Sequence, residues 1–120
     1  MRIVVCSNIP EQAQRLCAWI AQRCRLRGVP ASVELVSSLD VFWKQYAPDP
    51  FECLYLDLGD TAGFAAARRL REVNRECAIV LVGDTNRFSI QSLRIHVTDF
   101  FLHPLDQARV ERSVDRVLGR

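Results

Sequence analysis

Glycine is scarce in this sequence, and its placement excludes several classes of enzyme. The 120 residues include only five glycines, which form no Gly-x-Gly-x-x-Gly, Gly-x-x-x-x-Gly-Lys or Gly-x-Ser-x-Gly pattern. Such patterns bring backbone amides close to a nucleotide phosphate or expose a nucleophilic serine. The sequence therefore does not predict a nucleotide-binding enzyme or a hydrolase of the nucleophile-elbow type.

Lysine is almost absent, and the net charge is small. The sixteen basic residues comprise fifteen arginines and one lysine, Lys44, against fourteen acidic residues, for a formal charge of +2. A charge of this size does not by itself indicate binding to nucleic acid or anionic lipid. Any mechanism that requires a lysine side chain has Lys44 as its one candidate.

Long apolar runs are missing, and the cysteines do not form a disulfide pattern. No run approaches the ~20 apolar residues that cross a bilayer, and the strand-like N-terminus does not resemble a signal peptide. The cysteines are odd in number and contain no close pair, which indicates reduced and mostly buried thiols in a cytoplasmic protein. They are Cys6, Cys17, Cys24, Cys53 and Cys77.

Length and composition indicate one ordinary globular domain over residues 1–120. Apolar types make up 49% of the residues and charged types 25%, which is the usual balance for such a domain. A chain of this size buries enough surface to form a core without disulfides or a metal.

Hydrophobic periodicity predicts a strand followed by a helix, five times over. Apolar strands that alternate with amphipathic helices indicate an α/β fold with a parallel sheet covered on both faces. Right-handed crossovers make the doubly wound, flavodoxin-like strand order 2-1-3-4-5 the simplest topology. The predicted strands are residues 2–6, 31–36, 51–57, 77–82 and 97–102; the helices begin near residue 10, near residue 38, and at residues 63, 86 and 106.

The carboxyl edge of this sheet is where a functional site is expected. Ligands of open α/β sheets bind outside the carboxyl ends of the strands, beside the first strand. The residues at those positions are Ser7 and Asn8 after strand 1, Asp57 at the end of strand 3, Gly83 after strand 4, and His103 after strand 5.

Four segments resemble the receiver domains of two-component response regulators, in particular receivers that precede a LytTR-type DNA-binding domain. The segments are residues 3–6, 54–57, 68–72 and 95–105, of which the last is the most specific. They occur in the family's order on the expected elements, and the resemblance covers essentially the whole chain. It implies a (βα)5 receiver-like fold and a non-enzymatic role in signalling and transcription regulation.

The resemblance assigns Asp57 as the candidate phosphoacceptor. In the family, two acidic residues after strand 1 help to bind Mg²⁺, which neutralises charge on the transferred phosphoryl group. Here Ser7 and Asn8 stand at those positions. The number of carboxylates available to a hard cation therefore falls from three to one.

Two further positions differ from the family pattern, and one is kept. Gly83 replaces the hydroxyl residue after strand 4, and His103 replaces the lysine that precedes Pro104, while Lys44 lies in the second helix and cannot substitute. The switch aromatic of strand 5 is kept as Phe100. The loop after Asp57 is about two residues shorter than the family pattern, a substantial change in a connection of this length.

These changes lead us to expect a degenerate receiver that binds Mg²⁺ weakly and signals without phosphorylation. An unpartnered buried carboxylate at Asp57 should also have a raised pKa. Two alternatives remain open: a conventional receiver phosphorylated on Asp57 by a histidine kinase in the presence of Mg²⁺, and a small-ligand or redox sensor that uses the vacated pocket and Cys6. No cofactor is expected outside the first alternative. Asp60 is a further candidate for a substitute acidic ligand.

Signalling would then depend on contact surfaces. The expected face comprises helix 4, strand 5 and helix 5, and the residues expected to shape it are Phe88, Leu93, Phe100 and Phe101. Expected partners are a sensor histidine kinase, the protein's own output domain, or a second copy bound through this face, with no membrane and no direct nucleic-acid contact. Arg68, Arg69 and Arg71 are interpreted as a solvated helix face, with partner binding as the alternative. Whether an output domain follows residue 120 stays open.

Overall fold

A computed structural model describes residues 1–119, so Arg120, the last residue of the expected domain, lies outside the described residues. Strands and helices alternate as predicted. The strands are β1 (Arg2–Ser7), β2 (Ser32–Val36), β3 (Cys53–Asp57), β4 (Ala78–Gly83) and β5 (Asp99–Leu102). The helices are α1 (Pro10–Leu26), α2 (Leu39–Val41), which continues into a π-helical segment (Phe42–Tyr46), α3 (Asp60–Val73), α4 (Ser89–Arg94) and α5 (Gln107–Leu118).

The strands form one parallel sheet in the order β2-β1-β3-β4-β5. The predicted α/β fold and strand order are therefore confirmed. The register pairs Ser7 with Asp57 across β1 and β3, and Gly83 with Leu102 across β4 and β5. This pairing brings the carboxyl ends of β1, β3, β4 and β5, the strands that carry the candidate site residues, to one edge of the sheet, as the sequence predicted.

Each face of the sheet carries its own hydrophobic core, because successive strand residues point to opposite faces. One core joins residues such as Leu54 and Leu56 to Phe42 and Leu70. The other joins Tyr55 and the neighbouring strands to α1 and α5. In this second core the Tyr55 hydroxyl lies 2.7 Å from Oγ of Ser113, so a buried polar atom of the sheet has a partner.

Several predicted boundaries differ from the structure; strand β3, for example, begins at Cys53 rather than residue 51. Helix α3 begins at Asp60 rather than residue 63, directly after Gly59, whose positive φ of 92° turns the chain into the helix. Helix α4 begins at Ser89 rather than residue 86, because residues 84–87 form a turn in which the Thr85 hydroxyl accepts a hydrogen bond from the amide of Arg87. Strand β5 begins at Asp99 rather than residue 97.

The described residues contain no helix that is both long and apolar enough to span a bilayer. Their cysteines are free thiols, as the spacing predicted. Four are buried and Cys17 is half-buried.

Candidate functional site

Asp57 occupies the centre of the carboxyl edge of the sheet. It is the last residue of β3 and only 1% exposed. Oγ of Ser7, the residue paired with it in β1, lies 3.5 Å from Asp57 Oδ2, a long hydrogen bond. Asn8, the other position of the family's acidic pair, is exposed. Ser7 thus contributes a neutral hydroxyl to the surroundings of Asp57.

His103 lies between two carboxylates. Its Nε2 atom is 2.9 Å from Oδ1 of Asp57, and its Nδ1 atom is 3.0 Å from Oδ1 of Asp84. The Nε2 contact has ion-pair distance without good hydrogen-bond alignment. A neutral imidazole carries one N–H group, whereas an imidazolium carries two and can face a carboxylate with each. The ring therefore lies beside Asp57 at the position where the family resemblance implies a lysine side chain.

Burial dominates the electrostatics of Asp57. Desolvation raises the pKa of this carboxyl above its usual value, as the sequence predicted. The contacts with His103 and Ser7 act in the opposite direction, and the nearby charge of Asp84 adds to the increase. His103 therefore compensates only part of the free energy that is lost when the carboxylate is buried.

Asp60 is engaged in the loop between β4 and α4. Its Oδ1 accepts hydrogen bonds from the amides of Asp84 (2.8 Å) and Thr85 (3.3 Å), and its Oδ2 accepts one from the Thr85 hydroxyl (2.6 Å). The hydroxyl bond is the main reason that the pKa of Asp60 is lowered. The suggested role as a substitute metal ligand is therefore not favoured, because both carboxylate oxygens already have donors.

Gly83 makes this arrangement possible. A Cβ atom at position 83 would lie 2.5 Å from Oδ1 of Asp60 and 3.5 Å from Cζ of Phe100. A hydroxyl residue at this position would therefore collide with the Asp60 carboxylate. The change from a hydroxyl residue to glycine and the inward position of Asp60 are parts of one local arrangement.

The space beside Gly83 is too small for a metabolite. The cavity between α3, β4 and Phe100 has a volume of about 10 Å³, which is room for about one water molecule. Cys6, the candidate redox residue, is fully buried, and burial raises the pKa of its thiol to about 11. A thiol of this kind is rarely ionised and therefore unreactive. The small-ligand and redox alternatives are not supported.

The donor set at this edge does not fit Mg²⁺. Among residues 1–119, no three side chains of the His, Cys, Asp and Glu types are arranged to hold a metal ion. The Asp57 carboxylate faces His103, and that of Asp60 accepts backbone and hydroxyl hydrogen bonds. Mg²⁺ needs accessible oxygen ligands, usually carboxylates and phosphates.

The prediction that Phe101 belongs to the interaction face is wrong. Phe101 is only 4% exposed and belongs to the core shared with α1 and α5, because the alternation of β5 turns it away from Phe100. Leu93, by contrast, is 71% exposed. Phe88 is half-buried and stacks on Phe64, with ring centroids 4.8 Å apart.

Sequence reasoning missed several residues of this region. Asp84 directly follows Gly83, a position already identified as part of the site, so its place in the chain was an available signal. Ile90 and Leu102, which are 65% and 40% exposed, add to the exposed apolar side chains of α4 and β5. Lys44 lies in the π-helical segment, as its sequence position predicted.

Replacing Asp57 with asparagine is expected to raise the free energy of unfolding near neutral pH by about 1 kcal/mol, because a buried charge is removed. Burial raises the pKa of Asp57 in the folded state above its value in the unfolded state. At a pH below the unfolded-state pKa the carboxyl is protonated in both states and does not destabilise the fold. At a pH above the folded-state pKa it is ionised in both states, and the full cost of burying its charge lowers the free energy of unfolding. The stability difference between D57N and wild type should therefore grow as the pH rises through the carboxyl range. Denaturant titrations at several pH values measure it, with the exposed Asp40→Asn as the control. A difference that does not change with pH would contradict this expectation.

The strand order and the aspartate that ends β3 define the class: the chain has the fold of response-regulator receiver domains, as its sequence resemblance predicted. It is similar to the response regulatory domain of protein mrkE from Klebsiella pneumoniae, with a TM-score of 0.80 and 14% identity over 99% of this chain and 96% of that one. It is also similar to a sensor protein from Polaromonas sp. JS666, with a TM-score of 0.77 and 23% identity over 98% and 95% of the two chains.

Among curated proteins, the chain is similar to regulators named LytR. The chain is 20% identical over 87 residues to the sensory transduction protein LytR of Staphylococcus epidermidis, an alignment that covers 71% of this chain and 34% of that protein. The chain thus spans about a third of the length of the curated relatives it matches. No protein-family model matches the sequence.

Proposed function

We propose that residues 1–120 form an atypical receiver domain that works as a cytoplasmic signalling and protein-interaction module and does not require phosphorylation of Asp57. One observation carries the proposal. Nε2 of His103 lies 2.9 Å from Oδ1 of the buried Asp57. The acceptor oxygen already faces a partner supplied by this chain.

Charge supports the same conclusion. Two unit charges about 4 Å apart interact by about 4 kcal/mol at an effective dielectric constant near 20. The family's two additional carboxylates and its lysine are replaced by Ser7, Asn8 and His103. Several attractive interactions with a metal and a phosphoryl group are thereby lost, so phosphorylation of Asp57 is expected to be slow or absent.

Signalling then depends on a preset or partner-set shape of the face formed by α4, β5 and α5. Phe100 connects this face to the site, because its ring lines the small cavity beside Gly83 and Asp60. Exposed apolar side chains at Ile90, Leu93 and Leu102 offer contact area. We propose that this face binds an output domain that regulates transcription, a sensor histidine kinase or a second copy of the chain.

The proposal is tested by incubation with acetyl phosphate and Mg²⁺, followed by intact-mass measurement. We expect no Mg²⁺-dependent gain of one phosphoryl group in the wild-type protein, in conditions under which a conventional receiver is modified. The combined variant Ser7→Asp, Asn8→Asp and His103→Lys restores the family's charges and should show a larger gain than wild type.

Asp57→Asn is the matched control, since it keeps the shape of the side chain and removes the acceptor. A Mg²⁺-dependent gain in the wild-type protein that disappears in D57N would contradict phosphorylation independence. That result would favour the second candidate, a conventional phosphoacceptor receiver, for which the retained and central position of Asp57 is the supporting observation.

A further inference from the structure

A groove rich in arginine lies at the amino edge of the sheet, opposite the edge that carries Asp57. It runs between the C-terminal part of α3 and the connection from α4 to β5, and has a volume of about 390 Å³. We call it the arginine groove. Its basic lining residues are Arg68, Arg71, Arg75 and Arg94, with Glu72 as the one acidic lining residue among those described.

Arg71 holds the floor of the groove in place. Its guanidinium donates hydrogen bonds to the carbonyl oxygens of Ile95 (3.0 Å), His96 (2.8 Å) and Cys77 (2.6 Å). These bonds tie α3 to the start of β4 and to the connection that precedes β5. The charge of Arg71 is therefore met by carbonyl dipoles rather than by a carboxylate, and the groove is built on a fixed frame.

The other three arginines of the groove are unpaired within the described chain. Arg68, Arg75 and Arg94 make no ion pair or side-chain hydrogen bond with any of residues 1–119. All three are exposed, and Glu72 lies beyond ion-pair distance from each. Arg23 and Arg109, by contrast, each form bidentate pairs with an aspartate, whereas Arg25 and Arg112 are exposed and unpaired like the arginines of the groove.

The surroundings of the groove favour a protein partner over a nucleic acid. Beside the guanidinium groups, the groove is lined by the half-buried apolar side chain of Ile95. A phosphate backbone gives no reason to present apolar side chains beside the guanidinium groups, whereas a peptide can cover both. The formal charge of the whole chain is only +2, which argues against general binding to nucleic acid.

We propose that the arginine groove binds an acidic segment of a partner protein, with carboxylates that accept hydrogen bonds from Arg68, Arg75 and Arg94. The planar guanidinium group matches a carboxylate in a bidentate manner, which makes arginine suited to this kind of contact. The proposed binding site shares no residue with the site around Asp57, although Arg94 belongs to α4. Binding at the groove can therefore be tested independently of whether Asp57 is phosphorylated.

Fluorescence anisotropy with a labelled synthetic peptide of Glu and Leu residues, at near-physiological salt, tests the proposal. The double variant Arg68→Ala/Arg94→Ala should weaken binding by about tenfold or more, since two charge-assisted contacts are lost. The matched control is Arg25→Ala/Arg112→Ala, which removes the same charge from two exposed arginines outside the groove. It should leave the affinity within about twofold of wild type.

Amide shifts in a two-dimensional NMR titration locate the peptide, and we expect the largest changes between residues 72 and 75 and between 93 and 96. Absence of measurable binding, an equal loss in the control variant, or shifts centred elsewhere would each overturn the proposal. Tighter binding of a DNA duplex than of the peptide, with the same dependence on Arg68 and Arg94, would overturn the assignment to a protein partner. Neither double variant removes an ion pair or a side-chain hydrogen bond within residues 1–119, so both should unfold close to the wild-type temperature.

Discussion

Replacing Gly83 with alanine is expected to lower the free energy of unfolding by about 2 kcal/mol, although alanine suits a strand better than glycine does. The new Cβ atom would lie 2.5 Å from Oδ1 of Asp60, so the carboxylate must move. It would then lose its hydrogen bonds to the amides of Asp84 and Thr85 and to the Thr85 hydroxyl. Chemical denaturation measures the loss.

A double-mutant cycle separates this explanation from a general intolerance of side chains at the site. In an Asp60→Ala background the atom that clashes is absent, so Gly83→Ala should lower the free energy of unfolding by no more than about 0.5 kcal/mol. Gly63→Ala is the matched control, because its Cβ would lie 3.8 Å from Cδ2 of Leu81, an ordinary contact. Equal losses from Gly83→Ala in both backgrounds would exclude the proposed coupling to Asp60.

Arg71→Ala is expected to lower the free energy of unfolding by about 3 kcal/mol, the largest stability change predicted for this chain. The substitution removes charge-assisted hydrogen bonds to the carbonyl oxygens of Cys77, Ile95 and His96. These bonds join three segments that are distant in the sequence. Hydrogen exchange should also become faster in the connection between α4 and β5. Denaturant titration and amide exchange check the two effects.

The neighbouring arginines of α3 are the controls. Arg68 has no partner among residues 1–119, so Arg68→Ala should change the free energy of unfolding by less than about 0.5 kcal/mol. Arg69 lies over the Trp43 ring at 4.1 Å, and Arg69→Ala should give a loss of about 0.5–1 kcal/mol. If all three alanine variants lost the same stability, the contacts of Arg71 would not be the cause.

The changed residues at the carboxyl edge fit one another. Glycine at position 83 leaves room for the Asp60 carboxylate, which holds the turn that contains Asp84. Asp84 in turn faces Nδ1 of His103, whose Nε2 atom faces Asp57. Each of the three carboxylates therefore contacts a side chain or an amide of the chain itself.

Much of the fold could be predicted from the sequence because it depends on local patterns. Apolar strands such as residues 77–82 must be covered on both faces, and helical spacing of apolar residues marks the layers that cover them. Asp57 could be located because it ends such a strand, and the carboxyl edge of an α/β sheet is where ligands bind. The resemblance to receiver domains then identified Ser7, Gly83 and His103 as positions at which the family has other residues.

The sequence by itself determined the alternation of strands and helices, the strand order, and the identity of the residues that meet at the edge beside Asp57. Only the tertiary structure decided the contacts that side chains make. It showed that His103 lies between Asp57 and Asp84, that Phe101 turns into the core, and that three arginines of α3 have three different environments. The physical reason is the separation, along the sequence, of the residues that are in contact. Periodicity reports whether a side chain faces the core, whereas these contacts join segments up to tens of residues apart, and the packing of complete elements sets their distances.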